Sequence, residues 1–283
     1  MEFVKFFGPY GMFFVMFSIA LSLTAADFKQ VFTKPKALLV GLLCQMLLVP
    51  CLGIVLIVIF YDLPTNIKTS VLLLAILPTA VMSNYMAKKA DANIPLSISM
   101  TAVGCGSAFI KIPLFFYLIS NILLPDAGIV FPKINLAQVS LALLIIITLP
   151  VILGIAFATK FSTFAKKIDP ICDRISMLIF LVIVFGGIFE ERHELLGYFQ
   201  ISGIISVILL ASIFFMAVSV TEAMQLRQID RRAILIECIL QNGAIGFVIG
   251  ALMFDDAQYL IPIATYAIIQ YLFLIVYFLI RRS

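Results

Sequence analysis

The residues able to do chemistry in this chain stand out because apolar sequence surrounds them. Glu237 lies in the stretch AILIECILQNG, residues 233–243. A carboxylate at the centre of a bilayer costs about 2.5–3.5 kcal/mol on insertion scales, so it faces the protein interior and takes a cation, a proton or a donor. Gln241 follows one helical turn later on the same face. Gly243 and Gly246 then loosen the helix. An unwound turn here would free backbone carbonyls, and hard oxygens of that kind suit sodium. The competing reading is a Glu close enough to Arg232 to snorkel towards the cytoplasmic surface or to stay protonated.

A second cluster is Pro78-Thr79-Ala80-Val81-Met82-Ser83-Asn84. Pro78 removes an intrahelical hydrogen bond, and Ser83 and Asn84 supply neutral oxygens beyond it. Ser97 and Thr101 sit at i and i+4, so both hydroxyls share one face. Alone, such hydroxyls are usually glue between membrane helices. Beside a buried carboxylate and a broken helix they compose a sodium shell, without the soft ligands that copper or zinc would need. Gln45, a lone amide in an apolar stretch, reads first as interhelical glue. Lys111 lies deep in an apolar segment; snorkelling to the outer headgroups is the first reading, and a counter-charge for an anion is the alternative. The only histidine, His193, falls in the acidic stretch Glu190-Glu191-Arg192-His193-Glu194, expected to be a solvated outer loop.

The elements that must position these residues are membrane helices. The chain has 283 residues, 63% hydrophobic and only 12% charged, with a mean hydropathy of +1.18. A soluble domain carries about twice that charged fraction. The composition excludes an ordinary soluble enzyme, a disordered chain and a nucleic-acid binder. Nine apolar segments are long enough to cross a bilayer, at roughly 8–24, 37–60, 68–88, 93–120, 134–159, 172–190, 200–222, 232–254 and 258–280. Turn chemistry separates several of them: Asp62-Leu63-Pro64, Pro125-Asp126-Ala127-Gly128, Asp169-Pro170 and Asp255-Asp256.

Lys and Arg orient the chain. One set of loops, with the C-terminal tail, carries Lys29, Lys34, Lys36, Lys88, Lys89, Lys160, Lys166, Lys167, Arg174, Arg227, Arg231, Arg232, Arg281 and Arg282. The opposite set carries only Lys5, Lys68, Lys133 and Arg192. This places the C-terminus in the cytoplasm and the N-terminus outside, in a cell (inner) membrane. The third and fourth segments form one tight pair and the eighth and ninth another, entered from opposite faces. That suggests an inverted repeat, incomplete on nine spans. The five cysteines are scattered without a CxxC and read as free thiols, most of them buried. No span holds a histidine or a pair of carboxylates, so an intramembrane enzyme is not expected.

Taken together, these clusters resemble the bile acid:sodium symporter family. The stretch Phe17-Ser18-Ile19-Ala20-Leu21-Ser22-Leu23-Thr24-Ala25-Ala26-Asp27-Phe28 is similar to that family's opening signature. Lys34-Pro35-Lys36, Gln45 with Pro50, Ser83-Asn84 with Ser97 and Thr101, and Glu237 with Gln241-Asn242 keep its motifs and spacing. The resemblance implies an all-α polytopic membrane protein with nine transmembrane helices. Residues 1–283 would be one transporter unit, a bacterial-type form lacking the first of ten helices. A panel domain (8–24, 134–159, 172–190) would pack on a core domain (37–60, 68–88, 93–120, 200–222, 232–254, 258–280). Two broken helices, the third and eighth, would cross in the core.

By the same resemblance, Ser83, Asn84, Ser97, Thr101 and Glu237 would hold one sodium ion. Gln45, Glu237 and Gln241, with the carbonyls of Cys238 and Leu240, would hold a second. Thr79, Ala80, Asn242 and Gln270 would lie at the substrate. The sequence departs from bacterial relatives here: Pro78-Thr79-Ala80 stands for a common Pro-Gly-Gly, and Ile269-Gln270-Tyr271 for a Trp-His-Asn. The expected function is sodium-coupled symport of an organic anion, bile-acid-like or a small carboxylate, by alternating access. The alternative is a proton-coupled or exporting carrier of the related arsenite- and auxin-efflux type. Two sodium ions, the organic anion and the bilayer are the expected partners; neither nucleic acid nor an obligate protein partner is inferred.

Overall fold

The computed structural model describes residues 2–21, 35–80, 82–129, 135–190, 192–254 and 256–282. Twelve helices run through them: α1 (Glu2–Leu21), α2 (Pro35–Ile59), α3 (Thr65–Ile76), α4 (Ser83–Lys89), α5 (Ile94–Gly106), α6 (Ala108–Leu123), α7 (136–160), α8 (Ser162–Glu190), α9 (Arg192–Ala223), α10 (Gln228–Ile239), α11 (Gly243–Met253) and α12 (Ile261–Arg282). The described residues form no strand. This is an all-α polytopic membrane protein. Five of its helical stretches are each long and apolar enough to cross a bilayer, and α5 with α6 makes a sixth if that bent pair is one span. Lys29, Lys34, Lys133, Asp255 and the end of the opening signature lie outside the described residues.

Local chemistry explains where the helices change. Pro50 and Pro150 lack the N–H that would continue the ladder, and each follows a wider π turn, Cys44–Leu48 in α2 and Leu144–Thr148 in α7. Asn93 caps α5, its Oδ1 accepting from Leu96 N at 3.2 Å, and Asn242 caps α11 by accepting from Ile245 N at 3.1 Å. α1 packs on α7 and α8. A side chain at Gly154 of α7 would come within 2.6 Å of Ala20 Cβ and Phe17 O, so glycine permits that close approach. α3, α4, α5, α10 and α12 gather in the other body of contacts, with α9 against α10 and α12.

Three expectations are corrected. The segment 93–120 is not one straight helix: α5 and α6 meet at a 63° bend. Ser107 sits at the corner, its Oγ donating to Val103 O at 2.7 Å and so competing with the ladder. Asp169-Pro170 is not a break, because Pro170 lies inside α8 and the turn falls at Phe161 instead. The carbonyl that Pro170 leaves without its amide belongs to Lys166, in the exposed early turns of α8. Arg192, His193 and Glu194 form the first turn of α9 rather than a loop. Of the five free cysteines, Cys44, Cys105 and Cys238 are buried, whereas Cys51 is exposed and Cys172 is in between.

Candidate functional site

Two interruptions of the backbone build the site. α3 ends at Ile76 and α4 begins at Ser83; α10 ends at Ile239 and α11 begins at Gly243. The extended residues between them meet antiparallel at Thr79 and Gln241. Ala80 N donates to Leu240 O at 2.7 Å and Asn242 N to Pro78 O at 3.0 Å. The backbone groups that each broken helix loses are thus partly repaid by the other, as a low-dielectric interior demands. The crossing is pinned beyond its centre as well. Asn93 Nδ2 donates to Asp230 Oδ1 at 2.6 Å while Arg227 pairs with the same carboxylate, and Ser70 Oγ donates to Tyr259 O at 2.5 Å.

Around this crossing sits a group of oxygens. Glu237, on the last turns of α10, is fully buried. Its carboxylate accepts from Ser97 Oγ and, at 2.9 Å, from Thr101 Oγ1. Ser97 Oγ also reaches Asn84 Oδ1 at 2.9 Å, and Ser83 Oγ stands 3.3 Å from Thr101 Oγ1. Ser97 carries one hydroxyl proton and two acceptors call for it. The carboxylate of Glu237 is thus buried among neutral oxygens, and either a cation among them or a proton on Glu237 would compensate it.

A second group lies on the other side of the break. Gln45 Nε2 donates to Thr79 Oγ1, which in turn donates to Glu237 O at 3.0 Å. Gln241 Nε2 donates to Cys238 O at 2.8 Å. The two amide oxygens, Gln45 Oε1 and Gln241 Oε1, are buried with no hydrogen-bond partner among the described residues. An orphaned buried carbonyl-type oxygen carries a desolvation cost of about 1–3 kcal/mol. A hard cation taking these oxygens as ligands would remove that cost.

The four residues expected at the substrate are engaged in holding the crossing. Thr79 links Gln45 to Glu237 O, and Ala80 N bonds Leu240 O. Asn242 Nδ2 donates to Thr79 O at 3.3 Å. Gln270 grips the backbone of one residue on both sides: its Oε1 accepts from Gln241 N at 2.9 Å, and its Nε2 donates to Gln241 O at 3.2 Å. A cavity of about 320 Å³ opens beside the cluster between α1, α4 and α8, lined in part by Ile19, Met82, Asn84, Arg174, Ser176 and Phe180.

One residue of the site, Tyr266, escapes the sequence reading, and another, Lys111, lies elsewhere than its first reading placed it. Tyr266 on α12 is fully buried and donates to Ile239 O at 2.9 Å, closing the carbonyl end of α10. A buried Tyr hydroxyl needs a partner, and that is the one signal the sequence offers. Lys111 does not snorkel outward. It is buried, 4% exposed, with Nζ 3.4 Å from Leu77 O at the carbonyl end of α3. The bend at Ser107 turns this face of α6 towards the crossing.

Residues 9–197 match the Sodium Bile acid symporter family. The chain is 27% identical over 255 residues to a probable sodium/metabolite cotransporter, BASS2, chloroplastic, of Oryza sativa subsp. japonica, covering 90% of this chain and 58% of that protein. It is 31% identical over 180 residues to the ileal sodium/bile acid cotransporter of Homo sapiens, covering 62% of this chain and 50% of that protein. An uncharacterized sodium-dependent transporter of Bacillus subtilis (strain 168), YocS, is 24% identical over 258 residues, covering 90% of this chain and 76% of that one. The chain spans little more than half the length of the rice protein and half that of the human one.

Proposed function

This chain belongs to the sodium bile acid symporter family, and from that premise we propose that it is a sodium-coupled symporter of an organic anion. The observation that carries this reading is the pair of orphaned amide oxygens of Gln45 and Gln241 at the crossing. Beside them the carboxylate of Glu237 is buried among the neutral oxygens of Asn84 and three hydroxyls. Two sodium ions, carried as cargo, answer both needs. Ser83, Asn84, Ser97, Thr101 and Glu237 would hold the first. Gln45, Glu237 and Gln241, with the carbonyls of Cys238 and Leu240, would hold the second. A proton on Glu237 would satisfy the first cluster but would leave both amide oxygens unpaired, which favours sodium over proton coupling.

In this reading α1, α7 and α8 form the panel, and the crossing belongs to the core that moves against it. Nine spans place the N-terminus outside and the C-terminus in the cytoplasm. The cavity beside Asn84 would then open inward, with Arg174 next to Asp173 on its wall as the cation for the anionic group and Ile19, Met82 and Phe180 for an apolar body. The positive N-terminal end of α11 adds attraction for the anion. A tenfold sodium gradient gives roughly 1.4 kcal/mol per ion. Two ions with a monoanion move one net charge, worth about 2.3 kcal/mol across 100 mV.

Thermal unfolding of the purified protein, with sodium exchanged for potassium or choline at constant ionic strength, tests the reading. Sodium at about 100 times Kd stabilises a one-site protein by about 2.7 kcal/mol. We expect a sodium-specific rise in Tm that Glu237→Ala abolishes. A well-folded protein whose Tm follows pH and ignores sodium would replace sodium with the proton as the coupling ion.

A further inference from the structure

The carbonyl ends of the two broken helices are closed by side chains at matching places in the fold. Each closure comes from the span that follows the broken pair: Lys111, in the second half of the bent pair α5 and α6, on Leu77 O, and Tyr266 of α12 on Ile239 O. The phenol is neutral. The ammonium brings a full positive charge into the same buried region as Glu237. No carboxylate pairs with Lys111 among the described residues. From Leu77 the chain runs directly into the crossing, where Thr79 Oγ1 donates to Glu237 O, so the ammonium and the carboxylate flank the same break in one buried region.

Capping α3 alone does not require a charge, since a neutral hydroxyl does that work on α10. We propose that Lys111 is a positioning residue that couples anion binding to sodium binding. Its fixed positive charge opposes the loading of sodium at Glu237 until an anion arrives to balance it. Without this charge a buried carboxylate among hydroxyls would hold sodium whether or not cargo was present. With it, the empty core is close to neutral, sodium alone binds weakly, and the anion restores the affinity. The inference rests on Glu237 being the sodium site.

The experiment titrates sodium chloride alone, read by thermal stabilisation, on the wild type and on Lys111→Gln, Lys111→Met and Lys111→Arg. At an effective dielectric of about 20, losing one charge in this neighbourhood shifts the sodium midpoint by about three- to tenfold. We expect Lys111→Gln and Lys111→Met to bind sodium more tightly by that factor, and Lys111→Arg to stay close to the wild type. A midpoint that is unchanged or weaker in the neutral variants, whatever their Tm, overturns the proposal. Ser107→Asp gives a second route if the neutral variants do not fold. It keeps Lys111 on Leu77 O, places an N-cap carboxylate at α6 one turn before the ammonium, and is expected to lower the sodium midpoint in the same direction. An unchanged midpoint there overturns the proposal too. A wild type blind to sodium would instead overturn the sodium site itself, so the two failures are distinguishable.

Discussion

At residues 77–80 the chain leaves one helix just ahead of a proline, Pro78, and an ammonium and an amide meet it there: Lys111 on Leu77 O and Gln45 on Thr79. At 240–242 it leaves another without any proline, and what meets it is a phenol and a carboxamide that grips the backbone of one residue twice: Tyr266 on Ile239 O and Gln270 on Gln241. Proline enforces the first break from within, since it cannot continue the ladder. The second has no such constraint and depends on its neighbours. The first break therefore leaves its surroundings free to carry charge, while the second gives up two buried side chains of α12 to hold the backbone that bears Glu237. Removing the clamps should hurt the second break more than the first.

The largest effect on the fold is expected at Gln270. Gln270→Leu removes two bonds to the backbone of Gln241, whose N–H and carbonyl keep only Ile239 O and Gly243 N, a loss of about 1–3 kcal/mol. Chemical or thermal denaturation in detergent measures it. A loss below that of the Tyr266 variant would invert the ranking of the clamps. Tyr266→Phe removes one hydroxyl and leaves Ile239 O with only its 3.1 Å bond from Gln241 N, for about 1–1.5 kcal/mol. Sodium affinity should fall in both variants, because the turn carrying Glu237 is what they loosen. Retained affinity with lost stability would show that the sodium ligands do not depend on the clamp.

The difference between the breaks also decides what could be read from sequence. Pro78 announces the first break by itself, and the hydroxyl spacing of Ser97 and Thr101 places those groups on one face of α5. Glu237 stands out because lipid should exclude it. The second break has only Gln241-Asn242-Gly243 as a local sign, and its clamps are invisible: Ile239 O needs Tyr266 only once α10 has already ended there. Lys111 misleads for a related reason. Distance along an apolar segment suggests a side chain near the outer surface, but the 63° bend at Ser107 changes the direction of the helix. Pro170 misleads in the opposite sense. A proline near the exposed end of a long helix is tolerated where its orphaned carbonyl can reach water. Composition and charge asymmetry thus reveal the helical membrane architecture, whereas which face meets which is a matter of packing.

The smallest expected effect on stability, and the sharpest on function, is at the first break. Gln45→Ala removes one bond to Thr79 Oγ1, but Thr79 still donates to Glu237 O, so the break keeps its tie to α10. The net loss should be about 0.5–1.5 kcal/mol. Sodium binding should respond more. If Gln45 Oε1 is a ligand of the second ion alone, the sodium titration becomes shallower, from two-ion towards one-ion steepness, while the Glu237 cluster with Ser97 and Thr101 stays intact. A titration that keeps its steepness would make Gln45 a tie of the crossing and no more, on a par with Gln270. A titration that vanishes would mean that the two groups of oxygens hold a single shared ion.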